Sequence, residues 1–239
     1  FEGYFKRIII AGDGVEALQL VRSHVPDIIV SDVMMPRMNG YKLCKTIKED
    51  INISHIPVIL LTARDDRQSQ ISGYKNGADG YLSKPFEVEM LMELIRNRLK
   101  NREYTKKRYL NAGLIPTPEE STISLTDETF LIKLNSIIQE NIENSNLGIQ
   151  FICQEVGLGR SSLYNKLKAL TGMGANEYIS KLRIEKAITL ISGTDMPFSE
   201  IAEKTGFTTP SYFSTAFKQY TGETPSQYKE RKKKGLADK

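Results

Sequence analysis

The sequence predicts two domains of different class: an α/β doubly wound parallel sheet followed by an all-α domain. Three observations lead there. In residues 1–99, short runs of consecutive apolar and β-branched residues alternate with amphipathic stretches. From Lys100 to Thr126 the periodicity fades, and Pro116-Thr117-Pro118 sits in a Ser/Thr-rich stretch that marks a linker. Beyond it no strand-like run recurs, and amphipathic segments punctuated by glycine follow one another to the basic end of the chain.

In the first domain, Ile8-Ile9-Ile10, Asp27-Ile28-Ile29-Val30, Pro57-Val58-Ile59-Leu60-Leu61 and Asp79-Gly80-Tyr81-Leu82 read as strands. Consecutive apolar positions are the mark of parallel strands covered on both faces. Between and after them, helices are predicted over Val15–Ser23, Tyr41–Glu49, Asp66–Asn76 and Val88–Leu99. Strand and helix in alternation build an open parallel sheet with helices on both sides. The domain limits read from these patterns are 1–99, a linker 100–126, a helical domain 127–231 and a basic tail 232–239.

Length and composition agree. A chain of 239 residues can bury two cores, and 40% hydrophobic with 26% charged residues is the balance of a globular protein in water. No apolar run approaches the roughly 20 residues needed to cross a bilayer, and Phe1–Lys6 lacks the layout of a signal peptide. The net charge of +4 is too small to announce a nucleic-acid partner. Residues 1–99 carry thirteen acidic and thirteen basic side chains, whereas Lys100–Arg108 and Arg231–Lys234 are basic runs able to touch phosphates. Cys44 and Cys153 lie far apart and share no metal-ligand spacing with the two histidines, which fits a reducing interior.

The second domain repeats itself. Ile152-Cys-Gln-Glu-Val-Gly-Leu158 aligns with Ile201-Ala-Glu-Lys-Thr-Gly-Phe207 at an offset of 49. Past the turn the offset is 50: Leu163 over Phe213, Leu167 over Phe217, Thr171-Gly172 over Thr221-Gly222, Tyr178 over Tyr228. Each copy reads as a short helix, a turn containing glycine and a second amphipathic helix, which is the helix-turn-helix pattern. The polar face of the first copy's second helix offers Arg160, Ser161, Ser162, Asn165 and Lys168; that of the second copy offers Thr208, Thr209, Ser211, Tyr212, Thr215 and Lys218. Arginine and asparagine can read base edges with two hydrogen bonds, and hydroxyls can reach bases or phosphates of double-stranded DNA.

The first domain places different chemistry at strand ends. Ser31-Asp32-Val33-Met34-Met35-Pro36 follows a buried strand, Thr62 ends the next, and Lys84 ends the one after, just before Pro85. Ligands bind open α/β sheets at the carboxyl ends of strands. A carboxylate, a hydroxyl and an ammonium on one sheet edge suit phosphoryl transfer to Asp32, with Lys84 and Thr62 binding the transferred oxygens.

These two patterns each resemble a known family. Residues 127–231 resemble the AraC/XylS-type DNA-binding domain, most clearly over Ile201–Tyr228 and over the helix Asn176–Ala187. The resemblance implies seven helices and two recognition helices, held apart by a long helix, that enter successive major grooves. Residues 1–99 resemble the receiver domain of response regulators, a flavodoxin-like fold of strand order 2-1-3-4-5. That resemblance implies Asp32 as phosphoacceptor, Thr62 as switch hydroxyl, Lys84 as phosphate-binding lysine, Tyr81 as switch aromatic and a cis Lys84-Pro85 bond. It also implies Mg²⁺ held by Asp32 and the main-chain carbonyl of Met34, and a tight turn at Gly40. The wording of Ser54–Ala63 and Gly77–Phe86 is most like hybrid two-component systems, in which sensor, histidine kinase, receiver and AraC-type output share one polypeptide.

The sequence departs from the receiver pattern at its start. A receiver opens with a strand ending in an acidic pair, then a helix, before the run matched by Ile8–Ile10, and Phe1–Arg7 has room for neither. Upstream residues are therefore expected beyond Phe1. Without that pair Mg²⁺ should be weakly held or absent, and apolar strand edges should be exposed. The combined expectation is a DNA-binding transcription regulator controlled by phosphorylation of Asp32. It would be the cytoplasmic output end of an inner-membrane sensor, acting as a homodimer with a histidine kinase as its partner. The alternative keeps DNA binding but reduces the receiver to a dimerisation or interaction module. A phosphatase of the haloacid dehalogenase type needs a second aspartate two residues after the first, where Met34 stands, and no small-molecule substrate is indicated.

Overall fold

The computed structural model describes residues 4–63, 77–112 and 124–237, with side chains described up to Glu103 and from Ser124 to Lys232. In chain order the elements are α1 (Gly14–His24), β1 (Ile29–Asp32), α2 (Gly40–Glu49), β2 (Val58–Ala63), β3 (Gly80–Lys84) and α3 (Val88–Ala112). They are followed by α4 (Leu125–Glu140), α5 (Ile149–Val156), α6 (Arg160–Thr171), α7 (Ala175–Gly193), α8 (Phe198–Lys204), α9 (Pro210–Thr221) and α10 (Pro225–Ala237). The chain divides into two compact units, one built on α1–α3 and the sheet, the other on α5–α10 with α4 from Leu131 onward.

In the first unit β1, β2 and β3 lie side by side in that order and are parallel. The register pairs Asp32 with Leu61, Thr62 with Ser83 and Ala63 with Lys84, so the three strands end together. Both faces of β2 are covered. Val58 and Leu60 join Val21, Leu43, Cys44 and Ile47 from α1 and α2. Ile59 points the other way, into Leu91, Met92 and Ile95 of α3. That two-sided burial is why the strand reads as an unbroken apolar run rather than an alternating one. Lys48 ties the connections together: its ammonium is 2.7 Å from Asp79 Oδ2 and donates to the Ile56 carbonyl at 2.9 Å, and Asp79 accepts from the Val58 N–H at 2.7 Å.

Two expectations change here. Ile8–Ile10 does not form a strand, and Ile8 and Ile10 are 50% and 84% exposed. A strand is stabilised by ladder hydrogen bonds to a neighbour, and the described residues contain no strand that could stand between this run and β1. The helix predicted over Val88–Leu99 continues to Ala112, through sequence that lacks an apolar stripe. Lysine, arginine, glutamate, leucine and alanine propagate a helix without one. The helix predicted over Asp66–Asn76 lies outside the described residues.

The second unit contains no strand among its described residues, and α4–α10 are seven helices, the number that the resemblance implies. Each repeat closes its first helix in the same way. Leu158 N–H donates to the Cys153 carbonyl at 3.0 Å, and Phe207 N–H donates to the Ala202 carbonyl at 2.9 Å. Both bonds require the intervening glycine at positive φ, +74° at Gly157 and +71° at Gly206. Fully buried Leu163 and Leu167 hold α6, and fully buried Phe213 and Phe217 hold α9 against Ile201, Ala202 and the α7 residues Ile184, Ala187 and Ile191.

Candidate phosphoacceptor site and DNA-binding faces

Three strand ends bring the predicted site residues of the first unit together. Asp32 and Lys84 form an ion pair across the edge of the sheet, and Asp32 Oδ1 also accepts from the Met34 N–H at 3.2 Å. Partial burial opposes the charge on Asp32. The Lys84 hydrogen bond and the Met34 amide outweigh that and hold the carboxyl below the usual aspartate range. It is therefore an ionised carboxylate at neutral pH. Thr62 is buried, and its hydroxyl has no hydrogen-bond partner among the described residues. Unmade hydrogen bonds of that kind are costly, so a partner arriving at this edge would be favoured. Tyr81, half-buried on β3, packs against the core, and the Lys84-Pro85 peptide is cis.

Gly40 lets the start of α2 approach the strand end. A Cβ there would lie 2.3 Å from the Asp32 carbonyl oxygen, and the Gly40 N–H donates to the Val33 carbonyl at 2.9 Å. Nearby, Asp13 caps α1 through the Val15 and Glu16 amides and is also ion-paired to Arg37. Sequence reasoning missed this pair. The Asp-Gly step before an amphipathic helix was a cap signal for Asp13, but nothing local announced Arg37 as its partner.

Among the described residues, the donors at this edge are too few to make a Mg²⁺ site on their own. Both Asp32 oxygens are engaged by Lys84 and Met34, and no group of three or more His, Cys, Asp or Glu side chains that could hold a metal occurs among the described residues. A hard divalent ion needs several oxygen ligands, and one carboxylate with one carbonyl falls short.

In the second unit Arg160, Ser161, Asn165 and Lys168 are exposed along α6 and Ser162 is half-buried. Thr208, Thr209, Ser211, Tyr212, Thr215 and Lys218 are exposed at and along α9. The repeat superposes Ser161 on Ser211 and Lys168 on Lys218, so both helices carry a hydroxyl and an ammonium at matched positions. Some of these groups already have work within the fold. Arg160 donates to Gln150 Oε1 at 2.6 Å, Thr209 caps α9 by accepting from the Tyr212 N–H, and Thr215 donates to the Ser211 carbonyl. Tyr164, 54% exposed on α6, extends the first face and was not among the sequence candidates. Helical spacing from Ser161 and Lys168 could have found it.

Residues 2–96 match the response regulator receiver domain family, and residues 152–231 match a helix-turn-helix domain family. A probable transcriptional regulator, ycf29, of Pyropia yezoensis is 30% identical over 71% of this chain and 82% of its own length. The chain belongs to the response regulators. Its helix-turn-helix half is of the AraC type. Histidine kinase P4 of Formosa agariphila is 42% identical over 94% of this response regulator, which spans only 16% of that kinase. The solved C-terminal domain of AraT, a response regulator from Geobacillus stearothermophilus, is 31% identical over 43% of the chain and 84% of its own, with a TM-score of 0.41. Receiver and AraC-type DNA-binding domain on one chain make a transcription regulator of a two-component system.

Proposed function

We propose that the chain is the output end of a hybrid two-component sensor, cytoplasmic and attached through upstream sequence to an inner-membrane histidine kinase. Phosphorylation of Asp32 sets how well its two recognition helices hold double-stranded DNA as a homodimer. The observation that carries this is the shared edge of Asp32, Lys84 and the buried Thr62 hydroxyl, which has no hydrogen-bond partner among the described residues. Asp32 attacks the phosphorus of a phosphohistidine, the phosphorus–nitrogen bond breaks, and an acyl phosphate forms. Lys84 loses its carboxylate partner as that charge moves outward and can follow it to the phosphoryl oxygens. The Thr62 hydroxyl donates to a phosphoryl oxygen, and its movement is coupled to Tyr81.

The match to a histidine kinase over nearly the whole chain supports the hybrid arrangement. Mg²⁺ belongs to this reading as a cofactor, and Asp32 and the Met34 carbonyl are the ligands this chain would contribute. Absence of an acidic pair from the native protein as well would favour the second reading, in which the receiver only dimerises. Incubating the protein extended upstream of Phe1 with acetyl phosphate and Mg²⁺, then mapping added mass, separates the two. A phosphoryl group on Asp32 supports control by phosphorylation. None on Asp32, together with Asp32→Asn leaving signal-dependent promoter output unchanged, leaves the interaction module. For the DNA faces, Arg160→Ala and Ser211→Ala should each weaken specific binding by about 1–3 kcal/mol where the side chain touches a base. Unchanged gel-shift affinity and selectivity would remove that residue from the surface.

A further inference from the structure

Arg183 lies on the long helix α7, outside the two predicted recognition helices, and three segments of the second unit meet at its guanidinium. Its Nη2 donates to the Asn144 carbonyl at 2.7 Å, in the loop that leads into α5 and the first helix-turn-helix. Its Cζ lies 5.9 Å from the ring centroid of Phe207, in the turn of the second helix-turn-helix. Gly206, beside it, is so close that a Cβ would sit 2.9 Å from Arg183 Nη2 and 2.2 Å from the Ile142 carbonyl oxygen. One turn along α7, Lys186 pairs with Glu143 at 3.1 Å, which holds the same loop to the same helix face.

The two ends of this junction lead directly to the candidate base readers. Phe207 precedes Thr208 and Thr209 and packs edge-on against Tyr212, with ring centroids 5.8 Å apart. Asn144 is followed within a few residues by Gly148, the N-cap of α5. A 19-residue helix is about 28 Å long at ~1.5 Å per residue. Over that length a small change in the tilt of either motif moves a recognition helix appreciably. Each motif has its own buried side chains, Leu163 and Leu167 in the first and Phe213 and Phe217 in the second. What Arg183 adds is a link that fixes one motif against the other. A half-buried, charged, planar donor is suited to that task, because its hydrogen bond is charge-assisted and its face has one productive orientation.

We infer that Arg183 is a positioning residue that sets the spacing and angle of the two recognition helices, and so the separation of the two DNA half-sites that this chain reads in one grip. The inference rests on the DNA-binding reading. The test uses the full chain and a duplex selected by the wild-type protein from a random-sequence pool. Affinity is measured for that duplex, for versions with either half-site scrambled, and for versions with one to three base pairs inserted between the half-sites. Arg183→Ala should reduce the advantage of the intact duplex over the scrambled ones by about tenfold or more, from the loss of a charge-assisted hydrogen bond, and flatten the dependence on spacing. Arg183→Lys keeps a charged donor but not the planar face, and should restore part of the advantage. Thermal melting checks that each variant folds, and the lysine variant decides alone if the alanine variant does not. A loss shared equally by intact and scrambled duplexes, or a wild-type spacing preference in the variants, overturns the inference. Failure of the wild-type chain to select any duplex would instead count against DNA binding itself.

Discussion

Gly157 and Gly206 are equivalent positions of the repeat, and the structure predicts that replacing them with alanine has unequal consequences. Both end the first helix of a helix-turn-helix, at φ of +74° and +71°. Left-handed backbone costs an L-residue about 1–2 kcal/mol, and that penalty applies to both. Around Gly157 nothing lies within 4 Å of an added Cβ, so the penalty is the whole effect. At Gly206 the Cβ would meet the Ile142 carbonyl at 2.2 Å. An ordinary carbon–oxygen contact of about 3.3 Å requires the backbone to part by roughly 1 Å. That movement also pulls on the Arg183–Asn144 bond, a charge-assisted hydrogen bond of a kind that contributes about 1.5–3 kcal/mol. The expected cost is therefore about 1–2 kcal/mol for Gly157→Ala and about 3–5 kcal/mol for Gly206→Ala. In a unit of roughly 100 residues these correspond to a fall in Tm of about 5–10 °C and at least twice that. Because the chain holds two units, melting by circular dichroism should be paired with hydrogen exchange of peptides from 131–237. Equal losses in the two variants, or a larger loss for Gly157→Ala, would refute the crowding argument.

Other consequences follow from the same geometry. Phe213→Ala removes a fully buried ring that lies 5.4 Å from Phe207 and 5.7 Å from Phe217, and should cost about 3–5 kcal/mol, seen as early melting and exchange of α7–α10. Gly40→Ala should displace the end of β1, since its Cβ would fall 2.3 Å from the Asp32 carbonyl; slower labelling of Asp32 by a phosphodonor, with the sheet retained in circular dichroism, is the expected result. Asp13, Asp32 and Asp50 all titrate below the ordinary carboxylate value: burial opposes each charge, and the amide hydrogen bonds and the partners Arg37, Lys84 and Arg22 outweigh it. Their contribution to stability is present above the unfolded-state value near 3.9 and is lost as pH falls through the lower folded-state values. The Tm of the first unit should accordingly drop as pH is lowered from about 5 towards 2, and a Tm that rises over that interval would contradict the sign.

Much of this protein is local in origin and was legible in the order of its residues. The consecutive apolar runs at β1 and β2 mark buried parallel strands because only two-sided burial removes the need for polar positions. Asp32, Thr62 and Lys84 could be proposed as a group because each stands at the end of such a run, and parallel strands of one sheet end on one edge. The glycine turns and the three- and four-residue apolar spacing identified two helix-turn-helix units because a repeat displays the same local rule twice. What required tertiary structure was every property that depends on a partner distant in sequence. Ile8–Ile10 has the composition of a strand and is not one, since pairing is decided by a neighbour. Arg37 finds Asp13 across 24 residues, and Arg183 finds Asn144 across 39, with no spacing rule to predict either. Gly157 and Gly206 carry the same residue in the same motif for the same backbone reason. Their difference arises only in space, where one faces nothing and the other faces a carbonyl and a guanidinium, because steric crowding depends on what the rest of the chain brings alongside.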